Sequence, residues 1–182
     1  MLSPLLACIA LIVKLQDGGP VFYRGVRVGL GGTLFRIFKF RSMVVNAEII
    51  GGPTTSAGDY RVTSAGNWLR RYKLDELPQL FNVLIGEMSF VGPRPEVKSE
   101  VDSYGPEWNV IFSVRPGITD LSSIEFRNEG EIIAKSGIED PHEAYRKLIQ
   151  PRKLELQRYY VTHSSMALDL KILFRTLFAV VG

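Results

Sequence analysis

The chain holds one cysteine, Cys8, and two histidines, His142 and His163, in 182 residues. A lone cysteine cannot close an internal disulfide, which points to a reducing compartment. Two histidines without ligand spacing give no reason to expect zinc. No apolar run reaches the ~20 residues of a membrane-crossing helix; the longest at the start, Leu2 to Leu15, has about 14. That run opens without a cationic segment and ends in Lys14, Asp17, Gly18, Gly19 and Pro20 rather than at a small-residue cleavage site, so secretion is not expected. Internal repeats, low-complexity tracts and long linkers are absent, and one compact domain is expected. Net charge is only +3, too little to single out nucleic acid as a partner, and none is expected.

Basic residues are present locally, in Arg24–Arg41 and Arg61–Lys73, where they would attract phosphates or anionic headgroups. The apolar run at Leu2–Leu15 reads, taken alone, as a buried core helix. At the other end Met166 to Val181 is mostly apolar, with a narrow stripe of Asp169, Arg175 and Thr176 following Ser165, which implies an interfacial or buried terminal helix. Val21–Tyr23 and Leu34–Phe38 read as two strands separated by a glycine-bearing turn. Asn46–Tyr60, with Pro53, reads as a surface loop at a substrate-site edge. Helices are expected at Asn67–Tyr72, Leu77–Leu84, between Glu96 and Phe112, and from Glu143 to Tyr160. The fold class is therefore α/β or α+β.

Chemistry concentrates in Arg70-Arg71-Tyr72-Lys73-Leu74-Asp75-Glu76-Leu77-Pro78-Gln79-Leu80. A proline is tolerated only in the first turn of a helix, so Pro78 places both carboxylates at a helix start. They could simply cap it, with Gln79 closing the arrangement. A helix start is also an anion site, and an ionised aspartate there can bind Mg²⁺ or attack phosphorus. Adjacent carboxylates do not face each other, which suits phosphoryl transfer better than glycoside hydrolysis. Lys39, Arg41, Arg70 and Arg94 are available to balance phosphate charge.

Together these pieces resemble the bacterial sugar transferases, the monotopic phosphoglycosyl transferases. The resemblance rests on Ser3-Pro4, Gly19–Arg24, Lys39-Phe40-Arg41-Ser42-Met43, Asp59–Thr63, Leu74–Leu80, Asn82–Ser89, Val91–Pro95 and Pro116–Thr119, in that order. It implies a UDP-sugar donor, a polyprenyl-phosphate acceptor and the cytoplasmic face of the bacterial inner membrane. It also implies Asp75 as the nucleophile forming a phosphosugar-aspartyl enzyme with release of UMP. Glu76 would be its dyad partner, Mg²⁺ would be held by Asp75 and Glu76, and Lys39, Arg41, Arg70 and Arg94 would contact phosphate. Residues 1–16 would be a re-entrant membrane helix broken at Ser3-Pro4 and lacking its first arm, with a transferase domain over 17–182. After Thr119 the chain departs from the family's usual pattern, so Thr119, Asp120 and Arg127 are expected to set sugar or nucleotide specificity, unless the segment is a variable surface loop. Two rivals share these residues: a binding protein without activity, and a hydrolase in which water replaces the lipid.

Overall fold

The computed structural model describes residues 3–51 and 54–181; Leu2 and Pro53 of the sequence expectations lie outside them. Helix α1 (Ser3–Asp17) is followed by β1 (Phe22–Tyr23), β2 (Val26–Val28), β3 (Leu34–Arg36) and β4 (Lys39–Phe40). Strand β1 pairs antiparallel with β4, setting Tyr23 opposite Lys39, while β2 and β3 form the hairpin. The two strands expected at Val21–Tyr23 and Leu34–Phe38 are therefore four, and the glycine-bearing turn lies between β2 and β3. The overlooked strand β2 alternates valine with Arg27, so its apolar signal is weak in isolation.

A short helix α2 (Ala47–Ile50) interrupts the expected loop. Then come α3 (Ser64–Arg71), a single 3₁₀ turn at Leu74–Glu76 and α4 (Gln79–Leu84). Thr63 caps α3 by accepting from the Gly66 amide at 3.0 Å. Gly66 also lets α3 lie against the β4 strand exit, since a Cβ there would stand 1.9 Å from the Ser42 carbonyl oxygen. Gly66→Ala is expected to cost about 3 kcal/mol by urea unfolding, because a backbone atom rather than a flexible side chain would have to move.

Strand β5 (Ser89–Val91) follows, and between Glu96 and Phe112 the one expected helix is divided into helix α5 (Lys98–Val101) and a 3₁₀ stretch at Pro106–Ser113. Gly105-Pro106 explains the break, because a proline lacks the amide that a continuing helix would need. Strand β6 (Gly117–Thr119) pairs in parallel with β5. Gly117 is required there, as its Cβ would meet the Gly92 nitrogen at 2.1 Å. Helices α6 (Leu121–Glu125), α7 (Glu129–Lys135), α8 (Pro141–Leu148), α9 (Gln150–His163) and α10 (Met166–Val181) complete the chain. The single helix expected from Glu143 to Tyr160 is two, because Pro151 fits only the first turn of α9. This assembly is a mixed α/β domain.

Four apolar clusters hold the elements together. Ile9 and Val13 of α1 pack with Phe40 and Leu69, and Leu74 joins them beside the 3₁₀ turn. Burying a phenylalanine as fully as Phe40, 1% exposed, contributes roughly 1.5–3 kcal/mol. Phe35, Ile37 and Met88 form a second cluster, Val91, Tyr160 and Ile172 a third, and Ile133, Ala144, Tyr145 and Ile149 a fourth. Asn82, wholly buried, ties α4 to the β3–β4 segment: its Oδ1 accepts from the Phe38 amide at 2.8 Å and its Nδ2 donates to the Arg36 carbonyl at 3.0 Å. The two terminal helices leave apolar side chains uncovered. Leu5, Leu11, Ile12 and Leu15 of α1 are exposed, as are Met166, Leu170, Phe174, Leu177 and Phe178 of α10. On α10 the polar stripe turns partly inward instead, with Asp169 accepting from the Tyr160 hydroxyl at 2.8 Å and Thr176 bonded to Thr119 at 2.6 Å.

Candidate active site

Two residues beyond the end of α3, Lys73 adopts a left-handed conformation with φ 54°, uncommon for a residue with a side chain. That reversal starts the 3₁₀ turn, which sends Leu74 into the first cluster and leaves Asp75 and Glu76 side by side at 7% and 9% exposure. Pro78 caps α4 without any side-chain bond. The capping alternative therefore does not hold: neither carboxylate serves the helix.

The two carboxylates meet opposite surroundings. Glu76 Oε1 accepts from Lys39 Nζ at 2.8 Å and from Arg94 Nη2 at 2.6 Å, and Oε2 faces Arg94 Nη1 at 3.4 Å. Burial alone would raise its pKa, but the Arg94 guanidinium and the Lys39 ammonium outweigh that and hold it well below the ordinary carboxylate range. Asp75 makes no hydrogen bond or ion pair among the described residues, and its Oδ1 is buried without a partner. Burial first, and then the Glu76 charge, push its pKa up, against the pull of Lys39, Arg70 and Lys73. Burial also lowers the pKa of Lys39, opposed by Glu76. A fork onto one carboxylate thus leaves its neighbour unbonded and available.

Lys39, Arg94 and Glu76 are in direct contact, and Arg70 acts on Asp75 by charge while its Nε donates to Ser42 Oγ at 2.9 Å. Arg41 is not brought into this group. Its guanidinium forks onto Asp17 at the end of α1, with 2.5 Å on each arm, and its Nε donates to the Pro20 carbonyl at 2.6 Å. The Arg41 fork holds the Asp17 carboxyl at about 2, so this link is complete above the ordinary aspartate range and is lost as pH falls through about 2. Arg41 is a strut between α1 and β4. Arg41→Lys, unable to fork, is expected to raise protease nicking at Gly18-Gly19 several-fold; nicking unchanged from the wild type would deny Arg41 this role.

Of the three expected specificity residues, two are built into the fold. Thr119 is buried against α10. Asp120, 1% exposed, caps α6 through the Ser123 amide at 2.6 Å and accepts from Ser122 Oγ at 2.7 Å. Arg127 is exposed, and no contact among the described residues connects it to the dyad. Sequence reasoning overlooked Lys73, Ser42 and the buried polar residues of α9; the last were signalled by Lys153 and Gln157 standing four apart on one helix face.

The donor set accommodates Mg²⁺ in part. Asp75 Oδ1, an orphaned buried acceptor, fits the single-carboxylate hold typical of Mg²⁺ shared with a phosphate ligand. Glu76, with its carboxylate committed to two cations, does not fit as a ligand in this arrangement.

The model of the family described as bacterial sugar transferase matches residues 1–182. The chain belongs to the bacterial sugar transferase family. Within it, the chain is 37% identical over 180 residues to the UDP-N-acetylgalactosamine-undecaprenyl-phosphate N-acetylgalactosaminephosphotransferase of Aeromonas hydrophila, covering 97% of this chain and 39% of that protein. It is 38% identical over 184 residues to the UDP-glucose:undecaprenyl-phosphate glucose-1-phosphate transferase of Escherichia coli (strain K12), covering 98% and 36%. It is 35% identical over 194 residues to the exopolysaccharide production protein ExoY of Sinorhizobium fredii, covering 98% and 78%. The bacterial sugar transferase chain thus spans less than two fifths of the first two relatives.

Proposed function

We propose that this protein transfers a sugar 1-phosphate from a UDP-sugar to polyprenyl phosphate, releasing UMP, through a covalent phosphosugar-aspartyl intermediate on Asp75. The observation that supports the covalent step is the unbonded, buried Asp75 carboxylate beside a Glu76 fully occupied by Lys39 and Arg94. An Asp75 oxygen attacks the sugar-linked phosphorus, and the bond from that phosphorus to the bridging oxygen breaks, sending both electrons to UMP. A polyprenyl-phosphate oxygen then attacks the same phosphorus and the Asp75 carboxylate leaves, giving a polyprenyl diphosphate sugar. Both attacking oxygens are anionic, so neither step needs a proton removed.

Lys39, Arg70 and Arg94 supply positive charge for the phosphoryl oxygens, and Arg94, at 31% the most exposed of the cluster it forms with Lys39 and Glu76, has a face open to substrate. Glu76 orients Lys39 and Arg94. Asp75 is the residue that would hold Mg²⁺, and the ion would supply positive charge to offset the charge developing on the leaving group. The lipid acceptor is reached at a bilayer surface, where the uncovered apolar side chains of α1 and α10 would bury in the inner membrane from its cytoplasmic face. No helix among the described residues is long and apolar enough to cross a membrane.

UMP release measured over a panel of UDP-sugars with Mg²⁺, alongside partitioning of labelled sugar into an organic phase, tests the reading. UMP together with lipid-linked sugar is expected. Sugar donor consumed without a lipid product would replace the transferase with a hydrolase, and no UMP from any donor would leave a binding protein.

A further inference from the structure

Arg94 stands between Pro93 and Pro95, in a loop with few amides of its own to anchor it. Both of its backbone polar atoms are nevertheless met by buried side chains. Its amide faces Asp120 Oδ2 at 3.4 Å, and its carbonyl faces Gln157 Nε2 at 3.5 Å. The same Gln157 nitrogen reaches Asp120 Oδ2 at 3.4 Å. Asp120 and Gln157 are each 1% exposed, and Asp120 is itself fixed by Ser122 and Ser123. One turn earlier on α9, buried Lys153 pairs with Glu96, two residues beyond Arg94, at 2.5 Å, while the Glu96 carbonyl accepts from the Val28 amide at 2.9 Å. A buried amide is costly unless bonded, and the Gln157 side chain has no other hydrogen-bond partner among the described residues. An apolar residue between Leu154 and Tyr160 would pack the interior as well.

We propose that Gln157 and Asp120 are positioning residues of the transfer reaction: they hold the Arg94 backbone so that its guanidinium forks onto Glu76 and stays aimed at the substrate phosphate. This rests on the transferase reading above. α9 then acts as a rail carrying the proline-bounded loop, and Asp120 reaches the chemistry only through Arg94. The three contacts to the Arg94 backbone and between its holders are long, so their effect is on placement more than on stability.

The test compares Gln157→Leu with Asp120→Asn, which keeps the size of the side chain but turns an amide group toward donors, each alone and combined with Arg94→Lys. Expected for each alone is about a tenfold loss of kcat for UMP release with KM changed less than twofold, and almost no further loss on top of Arg94→Lys. Losses that multiply with Arg94→Lys, or wild-type kcat in Gln157→Leu, would overturn the proposal. A second readout needs no turnover: by nitrogen-15 NMR the Arg94 guanidinium protons, which fork onto Glu76, should exchange with water several-fold faster in Gln157→Leu as the fork loosens. Unchanged Arg94 exchange would also overturn the proposal. Absence of UMP from the wild-type protein would instead sink the transferase reading, leaving the Arg94 exchange to decide whether Arg94 is held as argued.

Discussion

Asp75→Asn is expected to lower UMP release by ~10⁴-fold or more while making the folded protein more stable. The loss follows from the amide's inability to attack phosphorus and form the aspartyl intermediate, the step on which the whole route depends. The stability gain follows from the same observation that marks Asp75 as reactive, a buried carboxylate without hydrogen bonds beside a second negative charge. Replacing it with a neutral group of equal size should add about 1 kcal/mol, or ~2–4 °C in Tm for a chain of this length. The pH dependence gives a further check. Because the folded pKa of Asp75 is raised, the folded chain holds this proton more tightly than the unfolded chain. The resulting stabilisation is present below the unfolded value and is lost as pH rises through the folded one. That component should vanish in the asparagine variant, and the acid limb of wild-type kcat/KM should lie above the ordinary aspartate range. A variant that folds normally and still turns over like wild type would remove Asp75 from the mechanism.

The dyad was legible in the sequence because Pro78 restricts where a helix can begin, and three of the four expected cations do surround it. Arg41 was misplaced for a physical reason: nothing local to Lys39–Met43 reveals that Asp17, 24 residues earlier, ends α1 within reach of its guanidinium. The terminal helix at Met166–Val181 was read with its bounds, since a long apolar segment with a sparse polar stripe leaves few alternatives. What the stripe could not say is that Asp169 and Thr176 turn toward protein while phenylalanines face outward. Strand β2 and the parallel β5–β6 pair were invisible because strands of three residues carry too few positions to show a period. Asp120 looked like a substrate contact because it follows a departure from the family pattern, yet burial and four neighbouring donors give it an internal role.

Glu76→Gln is expected to damage stability and activity together, whereas the neighbouring substitution damages activity while raising stability. Removing the anion leaves Lys39 and Arg94 facing each other in a largely buried setting, and like charges so placed repel. Breaking one partner out of such a cluster costs about 3 kcal/mol, allowing for the partial exposure of Arg94, and should lower Tm by roughly 6–12 °C. Turnover should fall by ~10²-fold or more, because the two cations lose the group that aims them. In the wild type, the depressed pKa of Glu76 contributes stability that is present above the ordinary glutamate value and is lost as pH falls through the folded value; the glutamine variant should lack that acid limb. Adding Lys39→Met to Glu76→Gln removes one of the two stranded charges, so thermal stability should partly return while turnover should not. That split separates the two parts played by Glu76: its charge holds the fold by balancing two cations, and its position serves the reaction by presenting them. If Glu76→Gln melted like the wild type, the three-membered ion cluster would not be what leaves Asp75 free.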